Sequence, residues 1–344
     1  MKRNLLIAEV RRTPWALEPT YGATMMGVLA GWQRGEQASE ETLSGLRAGR
    51  EVTRARQQAT ARAAGGAIAV LPLHGIISQR AGMMQDYSGG VSTQQFSAAL
   101  AEAISDDTVS QVLISISSPG GSVFGVQELA SEIMQARVSK PIIGFADSTA
   151  ASAAYWLGAA CTELYCTPGG EVGSIGVWQA HEDISKALDE QGVKVTLISS
   201  GKYKTEGHSF GPLPAEAKDF MQERTDQYYR AFTTAVARGR RVPVDAVRSG
   251  MGQGRMLGAQ DALREKMIDG IATLSDVIGG MQRSIKSGRS AMALPGRSAA
   301  APSNSARIRE IEIMEAGYTP PAREPSPRVA RMLSEIAAIE RGAH

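Results

Sequence analysis

Hydrophobic positions along this chain gather into short dense runs separated by amphipathic stretches, and the runs begin abruptly at residue 67. AIAVLPLHGII (67–77) is apolar on both alternating registers and flanked by glycine, the pattern of a strand buried on both faces. A helical period follows over 92–105, then a strand at 111–118 (QVLISISS), a helix over 123–136 and a strand at 141–148 (PIIGFADS). The spacing next predicts a small-residue helix at 152–160 and strands at 162–168 and 174–178. A helix over 182–190, a strand at 194–200 (KVTLISS) and a long helix over 214–240 complete the run. The long helix opens on PAEA, with proline in the first turn and an acid just behind it. Strands alternating with helices imply an α/β domain with a largely parallel sheet and crossover helices.

The flanks read differently. Residues 1–65 are polar and Arg-rich, carry charges at helical spacing over 40–64, and are expected to form a helical N-terminal region. Residues 283–306 are rich in Ser, Ala, Gly and Pro and read as a linker. Helical patterning resumes over 307–316 and 329–339, interrupted by Pro320, Pro321, Pro325 and Pro327, so 307–344 is expected to be a short helical docking tail. The apolar-run domain between them is expected to span 66–282.

Composition narrows the picture by exclusion. The chain has 344 residues, 43 % hydrophobic and 21 % charged, which is ordinary for a folded protein and excludes wholesale disorder, collagen and a disulfide-dense scaffold. Lys+Arg number 37 against 35 Asp+Glu, so no strong field draws the chain to nucleic acid or to a membrane surface. No apolar run approaches the roughly 20 residues of a membrane span, so a chain without membrane anchor, in the cytoplasm, is expected. Cys161 and Cys166 are too few for a disulfide framework or a zinc site and read as buried thiols. Neither a cofactor nor a metal is expected.

Three segments carry candidate chemistry. SSPGGS (117–122) joins a strand to a helix; Pro119 fixes φ, and Gly120 and Gly121 are expected to leave N–H groups free to hold an anion. A tight turn accounts for it equally. DSTAASAAYW (147–156) places Ser152 among Ala150, Ala151, Ala153 and Ala154 at a predicted helix start. A serine there is either a helix cap or an approachable hydroxyl. SSGKYKTEG (199–207) offers Lys202 and Lys204 in a glycine-bounded loop, as surface charges or as a base. A lysine base must be neutral; lowering its pKa by about three units from ~10.4 costs roughly 4 kcal/mol, supplied by burial or a nearby cation. His208, four residues beyond Lys204, keeps a Ser–His arrangement open, while His74 reads as structural. No H-E-x-x-H, Walker A or G-x-G-x-x-G motif occurs.

Taken in order, SPGG, AASAAY (150–155), VGSIGV (172–177), SGKYK (200–204) and QGRMLGAQDALREKMIDGI (253–271) resemble the signal peptide peptidase A (protease IV) family of serine peptidases over about 67–278. The resemblance implies a ClpP/crotonase-like fold and cleavage of peptide bonds through an acyl-enzyme, without metal. It implies Ser152 as nucleophile and Lys204, not Lys202, as base, with the N–H groups of Gly120, Gly121 and Ala153 as oxyanion hole. TPWALEPTYGATMMGVLAG (13–31) resembles the N-terminus of lambdoid-type phage prohead proteases within that family. That implies protein substrates such as capsid, portal or scaffold chains, a homo-oligomer, and self-cleavage, for which small-residue sites at 290–293 and 298–301 are candidates. The alternatives are a cellular peptidase clearing signal-peptide remnants, a non-catalytic capsid scaffold, and a crotonase-type enzyme.

Overall fold

The computed structural model describes residues 10, 13–33, 61–63, 66–80 and 90–287. In chain order the elements are β1 (Trp15–Leu17), α1 (Pro19–Gln33), β2 (Ala61–Ala63), β3 (Gly66–His74), β4 (Ile77–Ser78), β5 (Val91–Ser92), α2 (Thr93–Ser105), β6 (Val109–Ser118), β7 (Gly120–Ser122) and α3 (Val126–Ser139). Then come β8 (Ile142–Ala151), α4 (Ala153–Ala159), β9 (Glu163–Cys166), β10 (Glu171–Gly173), α5 (Ser185–Glu190), α6 (Ala215–Arg240) and α7 (Val244–Ser249). The last are β11 (Met256–Gly258), α8 (Ala259–Arg264), β12 (Gly270–Ile271) and α9 (Leu274–Ser287).

The main sheet is largely parallel. β3 pairs with β6, β6 with β8, and β8 with both β9 and β10, all parallel; β2 and β11 close the two edges antiparallel. Parallel neighbours need crossovers, and α2, α3 and α4 supply them. Strand β6 explains why its sequence is an unbroken apolar run: Val112, Ile114 and Ile116 join the larger core, while Leu113 faces a second cluster with Ile68, Ile143, Phe145, Tyr165, Val277 and Met281. Helix α9 covers that second face. This is the α/β arrangement with crossover helices expected for a ClpP/crotonase-like fold.

Helix α4 is buried along its whole length. Trp156 stacks on Phe232 of α6 at 4.6 Å and 6°, and Arg137 of α3 donates to the carbonyls of Ala160 and Cys161, satisfying groups at the helix end. Arg240 pairs with Asp269 at 2.7 Å, and the same carboxylate accepts the Leu164 N–H. Burial opposes ionisation of Asp269, but the Arg240 charge and the hydrogen bonds outweigh it and hold the carboxyl below its ordinary value. These contacts fix α4 and the start of β9.

Several expectations are corrected. The region 1–65, expected to be helical, contains two strands, β1 and β2, beside α1. Its charged stretch over 40–60 lies outside the described residues, as do 288–306 and the tail 307–344. The linker expected from 283 cannot start there, because α9 runs through Ser287 and Ser284 is buried, accepting from Gln111 Nε2 at 2.6 Å. The expected strand at 174–178 is reduced to a single bridge between Trp178 and Trp15. The expected strand at 194–200 does not form: that segment is exposed and irregular, and it pairs with no strand among the described residues.

Candidate active site

Ser152 sits between the carboxyl end of β8 and α4, with φ 55° and ψ −117°. A side chain rarely adopts this backbone, and such outliers cluster where function requires a turn. It is held by main-chain bonds: the Ser152 N–H donates to Gly173 O at 2.7 Å and its carbonyl accepts from Trp156 N–H at 2.9 Å. The residue is fully buried, as are Ala150, Ala151, Ala153 and Ala154 around it. Its Oγ donates to Gly176 O at 3.5 Å, a long bond.

Gly120 stands directly against it. With φ 98°, Gly120 adopts a left-handed conformation, and a Cβ there would lie 2.3 Å from Ala16 O and 3.0 Å from both Ala151 O and the Ser152 Cβ. The fold thus brings together Ser152, Gly120 and, by adjacency, Ala153. The two glycine N–H groups are not free as expected. The Gly120 N–H donates to Ser118 Oγ at 3.1 Å, and that hydroxyl donates to Gly75 O at 2.6 Å. Gly121 lies in β7 opposite Ala16 of β1. Bonds from Glu18 N–H to Pro119 O and from Val123 N–H to Pro14 O flank that pair. Alternation along an antiparallel ladder therefore engages the Gly121 N–H with Ala16. Ala153 is the first helical residue, where an N–H has no intrahelical partner.

Lys204 is not hydrogen-bonded to Ser152. Its side chain is exposed and makes no hydrogen bond or ion pair with the described residues. Neighbouring Lys202 donates to Tyr203 OH at 2.5 Å and pairs with Glu216 at 3.0 Å; the Tyr203 bond first, then Glu216, raises its pKa and favours the charged form. That does not suit a base. The loop holding both lysines belongs to the irregular stretch after α5, where Val193, Val195, Leu197, Tyr203 and Phe210 are exposed and Ile198 is 96 % exposed.

Among the described residues no histidine reaches Ser152 by a hydrogen bond. His74 is buried with Nε2 3.2 Å from Ser115 Oγ; His181 and His208 meet each other on the surface, and His208 Nδ1 accepts from Phe210 N–H. Cys161 and Cys166 are buried, and burial first of all pushes both thiols up to about 12. Among the described residues no three His, Cys, Asp or Glu gather in a metal-holding group, and no helix is long and apolar enough to cross a membrane. Sequence reasoning missed Ser118, Gly176 and Trp178. Ser118 lies within the SSPGGS turn and was within reach of a closer reading; the other two act through backbone or tertiary contacts that leave no local pattern.

Residues 135–287 match Peptidase family S49, a stretch that contains both Ser152 and Lys204. The chain is 33 % identical over 298 residues to the head-tail preconnector protein GP5 of Enterobacteria phage P21, covering 83 % of this chain and 59 % of that protein. It is 30 % identical over 276 residues to capsid assembly protease C of Escherichia phage lambda, covering 77 % and 62 %. It is 25 % identical over 215 residues to protease 4 of Salmonella typhi, covering 62 % and 34 %. The chain thus spans about three fifths of the length of the two phage proteins.

Proposed function

We propose that this chain is a serine endopeptidase of phage capsid assembly, with Ser152 as nucleophile and Lys204 as its general base. The observation that carries the reading is Ser152 itself, a serine in a strained strand-to-helix turn with Gly120 packed against its Cβ. The Ala153 N–H, together with the Gly120 N–H once it leaves Ser118 Oγ, would receive the oxyanion; a hydroxyl partner is exchanged at little cost compared with a strand bond. Similarity to the phage P21 and lambda proteins supports capsid, portal or scaffold chains as substrates, in the host cytoplasm where heads assemble.

The exposed position of Lys204 gives the reading a second part. A lysine in water is charged, and a base for a serine must be desolvated. The stretch over 193–198 presents Val193, Val195, Leu197 and Ile198 to solvent, a row too apolar to remain uncovered. A second copy of the chain packed on that stretch would dry the loop and seat Lys204 against Ser152, so activity belongs to an oligomer.

The test is hydrolysis of casein by the full chain as protein concentration is raised, with light scattering on the same samples. Specific activity should rise with oligomer, Ser152→Ala and Lys204→Ala should each abolish it, and Lys202→Ala should keep most of it. Full activity in Lys204→Ala overturns the dyad. Activity in a sample that is wholly monomeric overturns the requirement for a second copy.

A further inference from the structure

Ser152 is completely buried, yet a nucleophile must be reached by a substrate carbonyl. Close beside it runs the backbone of β1. One edge of β1 pairs antiparallel with β7, with Trp15 opposite Ser122, Ala16 opposite Gly121 and Leu17 opposite Gly120. The other edge bonds to 174–178: Trp15 N–H donates to Trp178 O at 2.9 Å, and Trp178 N–H returns to Trp15 O at 3.0 Å. These two walls are the ones that touch the serine. Gly120 of β7 backs onto the Ser152 Cβ, and Gly176 of the second wall accepts from Ser152 Oγ. Ala16 O and the Ser152 Cβ lie 2.3 and 3.0 Å from one common point, so their separation is at most the sum of those distances.

A peptide to be cut by attack on its backbone must lie extended, and a slot between two main-chain edges holds such a peptide regardless of sequence. Resting on the assignment of Ser152 above, we propose that β1 is an internal pseudosubstrate: it fills the substrate slot as an antiparallel strand and must leave before a protein substrate can enter.

The contacts explain why the strand is held without being cut. The Leu17 carbonyl, opposite Gly120, accepts from Trp178 Nε1 at 2.9 Å. It is therefore directed to an indole, while the Gly120 N–H is occupied by Ser118 Oγ. The segment is also anchored at both ends. Trp15 Nε1 donates to Val10 O. Past β1, the Glu18 carboxylate accepts the N–H groups of Thr20 and Tyr21 and caps α1. Trp15 and Leu17 pack with Met25 and Leu29 of α1, so strand and helix would move as one unit. The slot's occupant also describes what it accepts: an extended apolar segment with a small residue, here Ala16, on the side facing the main core and larger residues flanking it.

The first test needs no catalysis. Hydrogen exchange is followed at Trp15–Glu18 in the Ser152→Ala protein, alone and with an excess of the synthetic peptide Thr-Pro-Trp-Ala-Leu-Glu-Pro. The expected result is that exchange in this segment accelerates about tenfold with peptide while β6 is unchanged, as when a state populated at about 10 % becomes dominant. A segment that stays as protected as β6 overturns the proposal. The second test uses Trp178→Phe, which keeps the ring and loses the bond to Leu17, and Ala16→Pro, which removes a ladder donor. Whichever variant retains the wild-type melting behaviour should hydrolyse casein several times faster, and the peptide added in trans should inhibit it. Folded variants no faster than wild type overturn the proposal. Casein hydrolysis persisting in Ser152→Ala would instead overturn the nucleophile assignment, and the exchange result would stand apart from it.

Discussion

Replacing Ser152 by glycine should stabilise the protein relative to replacing it by alanine, although both changes remove the hydroxyl. The backbone at Ser152 has φ 55° and ψ −117°, a conformation that glycine enters without strain and any residue with a Cβ enters at about 1–3 kcal/mol. Alanine keeps the Cβ and keeps the strain. Glycine also loosens the unfolded chain, which offsets about 0.4–1 kcal/mol. The hydroxyl itself contributes little, since its bond to Gly176 O is 3.5 Å long and worth less than about 1 kcal/mol. Ser152→Gly should therefore exceed Ser152→Ala by roughly 0.5–2 kcal/mol, or several degrees at about 2–4 °C per kcal/mol. Urea unfolding of both variants with equal m-values measures it directly. A glycine variant equal to or below the alanine variant would refute the claim that the turn is strained and that the strain is kept for the hydroxyl.

Asp269→Asn should remove an acid sensitivity. Because the folded carboxyl lies below its ordinary value, the unfolded state binds more protons there. The stability it contributes is complete above the usual carboxylate range near 4 and is lost as pH falls through the folded value. Urea midpoints measured from pH 6 to 3 should fall less steeply for the variant. Gly239→Ala should destabilise despite alanine's better helix propensity of about 1 kcal/mol. Its Cβ would lie 2.1 Å from Ala159 O, and an overpacked helix contact of that kind costs about 1–3 kcal/mol; a raised melting temperature would contradict the tight α4–α6 approach. Cys161 and Cys166, with thiols pushed up to about 12 by burial, should not react with a disulfide reagent at pH 8 until urea is added; rapid labelling of the native protein would contradict their burial.

What could be read from the sequence followed burial. β3, β6 and β8 are covered on both faces, so their apolar runs were legible, with ends shifted by a few residues. β10, β11 and β12 are short, rich in glycine or polar residues, and defined by partners far along the chain; no window of sequence contains that information. The stretch over 194–200 misled for the opposite reason. It has a strand's alternation, but its apolar residues face solvent, and a pattern records what wants covering without recording whether the same chain covers it. At the site, resemblance pointed to Ser152 and Gly120, and the fold places them in contact. The engagement of the Gly121 N–H by β1 and the exposure of Lys204 depend on tertiary placement that residue types do not encode.

Strand β8 changes partner midway. Ile143–Ala146 pair with β9, and Thr149–Ala151 pair with β10, which leaves Asp147 and Ser148 between the two ladders, Ser148 at φ 79°. The sheet therefore forks two residues before the stretch that carries Ser152. On that edge the half joined to β9 is clamped by the Arg240–Asp269 pair and the half ending at the serine is tied to β10 and β11, while β6 runs along both halves on the opposite edge. β11, some hundred residues downstream in sequence, is thus two ladder steps from the strand end that carries the serine. An engineer seeking to tune the turn at Ser152 without weakening the domain would do better to work from that outer edge than from the core.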